Sequence, residues 1–286
     1  MNVPRQPSEP ELVVLADPDA VSAAAADRIA DALRGAVAAR GRADWATTGG
    51  SAPVGIYRRL AHPSMTAAVP WPDVHLWWSD DRYVPRDHPL SNVLPADQVL
   101  LAAATHAGQD ALREEPDDAA AGPRHPGAPI PVDQVHAMPM SDALGQQRGP
   151  AWVAARYDAE LRESGIATRD GWPVFDVMLL GVGPDGHVMS IFPGSDAFEE
   201  AAWVLPIPAP THVEPHVTRV TLNPKVLDVA RTVFVVMHGA GKADTVAMIF
   251  GPERDVRRWP AQLVRRPGVT WLLDEAAAAR LPAAVR

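Results

Sequence analysis

The sequence predicts an α/β fold in which a mostly parallel sheet is flanked by helices on both faces. Two observations carry this. Short apolar runs of strand length alternate with longer amphipathic stretches, which implies crossover connections between parallel strands. The chain of 286 residues is 47% apolar, enough for one large core. In sheets of this Rossmann-like kind, ligands sit at the carboxyl ends of strands, so the loops that follow strands are the places to look.

Glu11–Ala16 is a buried-strand run. Asp19–Arg40 has helical periodicity, with Ile29, Leu33 and Val37 on one side. Ala43–Thr47 is a strand ending in Gly49-Gly50, and Pro53–Leu60 is the helix after it. Val74–Trp78 reads as a strand and Asn92–Leu101 as a helix. Val135–Met138 is a strand, followed by a helix over Ala151–Glu163 with Trp152, Ala155 and Leu161 on one side. The clearest strand is Phe175–Val182; Arg219–Leu222 and Val233–Met237 follow as strands. Lys242–Phe250 is a helix, Val269–Leu273 the last strand and Asp274–Ala279 a short closing helix. Residues 105–131 carry five prolines with scattered Gly and acidic residues, and read as a loop insertion in a single domain over residues 1–286.

Composition excludes several functions. With no cysteine there is no disulfide framework, thiol nucleophile or Cys-ligated metal. A net charge of −9 argues against nucleic acid as a partner. No run is long and apolar enough for a membrane span, and the N-terminus lacks the pattern of a signal peptide, so a cytoplasmic protein is expected. Of 26 basic residues only Lys225 and Lys242 are lysines, which makes the placement of each informative.

Four segments carry candidate chemistry. Thr47-Thr48-Gly49-Gly50-Ser51-Ala52-Pro53 joins a strand to a helix. Its glycines permit close approach of the backbone, and free N–H groups there favour an anion such as phosphate. It is neither a Walker A loop nor a nucleophile elbow. Asp80-Asp81-Arg82, with His88 and Ser91-Asn92, forms a polar cluster after a strand; Arg82 is suited to an anionic oxygen or to fixing a carboxylate. The spacing of Asp80, Asp81, Asp87 and His88 matches no standard metal pattern. Gly181-Val182-Gly183-Pro184-Asp185-Gly186-His187 formally holds G-x-G-x-x-G, yet Pro184 removes an N–H and no acid follows at about 20 residues, as a dinucleotide site requires. The same loop presents His187, whose imidazole is a side-chain type suited to proton transfer, two residues after Asp185. Finally, Arg219 interrupts an apolar strand, and Lys242 opens a helix after a Gly-rich turn, where a cation is unfavourable unless an anion lies nearby. His212 and His216 are four apart, but Pro215 argues against a helical zinc pair.

Together these segments resemble the 6-phosphogluconolactonase family, within the wider group that includes glucosamine-6-phosphate deaminase. The resemblance rests on Gly49–Pro53, Asp80–Pro85 with His88 and Ser91-Asn92, Phe175-Asp176 through His187 with Ser190–Gly194, Arg219–Leu222, and Gly239 with Lys242. Asp81, Ala52 and Met189 depart from the residues common in the family. The resemblance implies hydrolysis of 6-phospho-D-glucono-1,5-lactone, the second step of the oxidative pentose phosphate pathway, without metal or cofactor. His187 is the expected base, oriented by Asp185, with Arg82 at the oxyanion or on substrate oxygens. Gly49, Gly50, Ser51, Asp80, Arg219 and Lys242 are expected to bind the substrate and its phosphate. A monomer or weak homodimer is expected, with a sugar-phosphate lactone as its small-molecule partner. The rivals are a deaminase-like isomerase, for which the segment after His187 offers no acid, a non-catalytic sugar-phosphate sensor and a dinucleotide-binding oxidoreductase.

Overall fold

The computed structural model describes residues 9–50, 52–101 and 127–282. The chain opens on β1 (Glu11–Leu15), α1 (Pro18–Arg40), β2 (Ala43–Thr47) and α2 (Ala52–Leu60). A single turn α3 (Pro63–Thr66) leads to β3 (Val74–Trp78) and the short β4 (Asp80–Arg82). Next come β5 (Val135–His136), α4 (Met140–Gly145), α5 (Pro150–Glu163) and the hairpin β6 (Thr168–Arg169) and β7 (Trp172–Pro173). The last part holds β8 (Val177–Leu180), β9 (Val204–Ile207), β10 (Arg219–Leu222), α6 (Val226–Val229), β11 (Thr232–Met237), α7 (Ala243–Ile249) and β12 (Val269–Asp274).

Seven strands make the central sheet, in the order β1-β12-β11-β8-β2-β3-β5, all parallel. Side chains alternate between its faces, as the pleat demands. Trp45, Trp78, Val177, Leu179, Val236 and Leu272 pack on one side with Val21, Ile29 and Leu33 of α1 and Ile56 and Tyr57 of α2. Ala46, Trp77, Met178, Leu180, Val235 and Trp271 pack on the other with Val153, Tyr157 and Leu161 of α5 and Val246 and Ile249 of α7. A sheet buried on both faces reads as continuous apolar runs, which is why its strands are conspicuous in the sequence. Helix α1 is fixed at both ends: Asp17 accepts the Ala20 N–H at 2.8 Å, Pro18 begins the first turn, and Gly41 at φ 72° closes it.

Several expectations change. Arg219–Leu222 is a strand, but it leaves the parallel sheet. It forms the centre of a separate antiparallel sheet, β4-β10-β9. Strand β4 extends directly beyond β3, so its partner can reach it without a crossover helix. Strand β9 carries Pro206 and lies at the edge, where a missing N–H is tolerated. The helix expected over Asn92–Leu101 is shorter than the sequence suggests: residues 94 and 95 are helical and run into one π-helical turn, Ala96–Leu100. In α5 the buried residues are Val153, Ala154, Tyr157 and Leu161, while Ala155 is exposed. Residues 275–280 form turns instead of a closing helix; the Asp274 carboxylate takes the Ala277 N–H at 2.7 Å and the Gly239 N–H at 2.9 Å. Of the expected insertion, only 127–131 is described. There Ala128 and Ile130 are buried under the β2–β3 side of the sheet, and the Ala128 N–H bonds Leu100 O at 2.7 Å. Among the described residues no helix is long and apolar enough to cross a membrane.

Candidate active site

The strand order reverses direction between β2 and β8: later strands add outward to one side after β2 and to the other after β8. At such a switch point the two following loops diverge and leave a crevice at the carboxyl ends. Here those loops are Thr48-Gly49-Gly50 and Gly181–His187. Together with the β4–β10 sheet and the β11–α7 turn they enclose a cavity of about 260 Å³. Of the expected site residues, Gly49, Gly50, Asp80, Arg82, His187, Arg219 and Lys242 all line it. Asp185 stands behind His187, and Ser51 lies outside the described residues.

The loop after β8 is folded tightly. The Gly183 N–H bonds His187 O at 3.0 Å, the Gly186 N–H bonds Gly183 O at 3.1 Å, and Gly186 adopts φ +81°. No helix opens after Gly186, so the G-x-G-x-x-G string lacks the helix N-terminus that a pyrophosphate site uses. The turn brings His187 back over Gly183, where a Cβ would lie 2.1 Å from His187 Nδ1. His187 Nδ1 is 2.5 Å from Asp185 Oδ1, and both side chains are mostly buried. A carboxylate there accepts from Nδ1–H, which assigns the tautomer and leaves the Nε2 lone pair free. The second oxygen of Asp185 is 2.8 Å from His212 Nε2. Burial raises the Asp185 pKa, but the hydrogen bonds and charge of His187, with the bond from His212, outweigh it and hold the carboxyl well below its usual range.

Facing this pair is a set of cations. Arg82 and Arg219 are directly opposed on β4 and β10. Opposed side chains on an antiparallel pair share a face at roughly 4.5–5.5 Å, and like charges so placed repel. Arg82 is tied by Nη1 to Asn92 Oδ1 at 2.6 Å and Leu90 O at 2.9 Å. Arg219 is 2% exposed, bonds Pro215 O at 3.1 Å and lies over the Phe192 ring. The Nε of each is buried with no hydrogen bond among the described residues. Lys242 donates to Val182 O at 2.7 Å. Burial pulls the pKa values of Arg219 and Lys242 down, the mark of cations stripped of water without a full counter-charge. The helix expected to begin at Lys242 starts one residue later, after a 3-10 turn, Ala240–Lys242.

Asp80 shares the face of the two arginines, and its Oδ2 accepts from Ser190 Oγ at 2.6 Å. Asp81 points the other way. It takes the Arg82 and Asn92 N–H groups, each at 2.7 Å, and Ser91 Oγ at 3.2 Å, and so shapes the strap that carries Asn92. Burial lifts its pKa to about 7, against the lowering effect of those N–H bonds. Asn92 Nδ2 donates to Asp80 O at 2.8 Å, and its Oδ1 sits where a Cβ on residue 49 would be, 2.0 Å away. Gly49 is thus required for the close approach of the two loops.

Sequence reasoning missed three residues here. Glu214 and His238 line the cavity. His212, weighed only as half of a zinc pair, reaches Asp185 instead, while His216 bonds Pro210 O at 2.7 Å. No sequence spacing signals a contact between residues 185 and 212. Among the described residues no group of three or more His, Asp or Glu is placed to hold a metal. A larger cavity of about 650 Å³ lies beyond Phe192 and His212, walled by prolines and aliphatic side chains.

Residues 16–272 match the model of the family described as glucosamine-6-phosphate isomerases/6-phosphogluconolactonase. A Mycobacterium tuberculosis 6-phosphogluconolactonase is 35% identical over 269 residues, covering 94% of this chain and 97% of the relative. The Streptomyces coelicolor 6-phosphogluconolactonase is 32% identical over 274 residues, covering 96% and 95%. The solved structure of the Trypanosoma brucei 6-phosphogluconolactonase superposes with a TM-score of 0.77 at 28% identity, covering 96% of this chain and all of that one.

Proposed function

The chain belongs to the glucosamine-6-phosphate isomerase/6-phosphogluconolactonase family, and from that premise we propose that it hydrolyses 6-phospho-D-glucono-1,5-lactone to 6-phospho-D-gluconate with His187 as general base. One observation carries the reading. A histidine with a free Nε2, backed by a half-buried carboxylate, shares a small cavity with two cross-strand arginines and a half-buried lysine. That combination suits water attack on an ester whose substrate carries a remote phosphate.

Nε2 of His187 removes a proton from water as its oxygen bonds the lactone carbonyl carbon. The tetrahedral adduct collapses by breaking the bond from that carbon to the ring oxygen, and the imidazolium returns the proton to the departing oxygen. Asp185 holds the ring and offsets the positive charge that appears on it. Arg82, which lines the same cavity, stabilises the oxyanion or grips substrate oxygens. Arg219, Lys242 and the Gly50 backbone, with Ser51, take the phosphate, whose binding energy fixes the lactone for attack. Asp80 accepts from sugar hydroxyls. Isomerisation with loss of ammonia is less well served: beyond His187 the neighbouring side chain is Phe192, 4.6 Å between ring centres, where a second acid would be wanted.

The test is His187→Ala, assayed on freshly generated lactone before it decays. Loss of about 10²–10⁴-fold in kcat is expected. Activity within a few-fold of the parent removes His187 as base. Release of ammonia from glucosamine 6-phosphate by the parent protein would move the assignment to the isomerase branch. Tight binding of 6-phosphogluconate without turnover of the lactone would mark a sensor.

A further inference from the structure

Asp185 has two oxygens and two histidines. Oδ1 meets His187 Nδ1 at 2.5 Å, and Oδ2 meets His212 Nε2 at 2.8 Å. His212 arrives from the connection between β9 and β10, far from the β8 loop in sequence. Its ring stands edge-on to Phe192, 5.9 Å between centres at 89°, and Phe192 also packs against His187. One aromatic ring therefore braces both imidazoles.

We propose that His212 is a positioning residue: by donating from Nε2 to the second oxygen of Asp185 it fixes the carboxylate plane against which His187 is aligned. The proposal rests on His187 being the base. The physical need is plain. The terminal torsion of an aspartate is broad. Oδ1 takes both the His187 Nδ1–H and the His187 backbone N–H, the latter at 3.2 Å, and this leaves the plane to be fixed by the partner of Oδ2. Lys242 and Arg219 both attract Asp185 electrostatically from the cavity side. A second bond, from His212 to Oδ2, keeps Oδ1 on His187. The strong lowering of the Asp185 pKa, to which both histidines contribute, agrees with a carboxylate held from two sides.

The experiment compares His212→Ala, His212→Gln, His187→Ala and the double variant His187→Ala/His212→Ala on fresh lactone, with thermal midpoints for each. His212 is about half exposed, so the substitutions are expected to fold with an unchanged midpoint. His212→Ala is expected to lower kcat about 10-fold, the usual scale for a group that orients a functional histidine, with KM within about 2-fold. His212→Gln, whose amide N–H reaches the same oxygen, should restore most of the rate. In the His187→Ala background the loss at His212 should vanish. Equal losses for Ala and Gln, a change in KM alone, no change, or a full loss in the His187→Ala background each overturn the proposal. Near-parental activity of His187→Ala overturns both readings, whereas an inactive His187→Ala beside an unaffected His212→Ala overturns this one alone.

Discussion

Gly183→Ala offers the sharpest perturbation of the site, because it leaves both His187 and Asp185 in the sequence and acts only on their positions. The backbone of Gly183 is not in the left-handed region, so alanine fits its main chain. The added methyl does not fit its surroundings: it lies 2.0 Å from His187 Cε1, 2.1 Å from Nδ1 and 2.8 Å from Asp185 Oδ1. Carbon atoms need about 3.5 Å, so the imidazole must move by roughly 1.5 Å. Misplacement of a reacting group by about 1 Å costs on the order of 10²-fold, and general-base catalysis is worth about 10²–10⁴-fold in total. A fall in kcat of about 100-fold is therefore expected, with a smaller change in KM, since the proposed phosphate ligands Arg219 and Lys242 are not among the atoms that the methyl meets. The obstructing atoms all belong to side chains, which can give way. The stability loss is accordingly limited to that of one charge-assisted hydrogen bond, about 1–3 kcal/mol. The assay is initial-rate hydrolysis of lactone made in situ, beside thermal unfolding. A folded Gly183→Ala protein with kcat within about 3-fold of the parent would refute the argument that this contact sets the base in place.

Two further outcomes follow from the charges. Lys242→Ala should raise KM for the phosphorylated lactone by about 10–100-fold, the equivalent of one charge-assisted bond, and leave KM for unphosphorylated gluconolactone nearly unchanged; equal effects on both would remove Lys242 from the phosphate. Asp81 keeps its proton to about pH 7 in the folded protein but loses it near pH 4 when unfolded. Its contribution to stability is thus complete below about pH 4 and is lost as pH rises through 7. Relative to Asp81→Asn, the parent should lose up to about 4 kcal/mol between pH 4 and 8 in denaturant titrations; parallel pH profiles would contradict the burial argument.

The central sheet was legible because its strands are buried on both faces, so Val74–Trp78, Phe175–Leu180 and Val269–Leu273 stand out as apolar runs. Helix α1 was legible from its spacing and caps. The antiparallel sheet was not. Asp80–Arg82 is three charged residues, and Val204–Ile207 contains a proline; neither has the alternation that marks a strand. The sheet to which Arg219–Leu222 belongs depends on a distant partner, information absent from local pattern. The site divides in the same way. Loops after strands pointed to Gly49, Arg82, His187 and Lys242. The pairing of Arg82 with Arg219, and of Asp185 with His212, exists only through the tertiary fold.

The opposed arginines have a consequence for the folding equilibrium. The walls of the cavity are drawn from residues 48–50, 80–92, 181–187, 214–219 and 236–242. Arg82 and Arg219 lie far apart in sequence and face each other only through the pairing of β10 with β4, where the Asp80 carboxylate offsets their repulsion and burial still disfavours the charge on Arg219. A phosphate bound there, as proposed, would favour the folded chain, stabilising it by RT ln(1 + [L]/Kd).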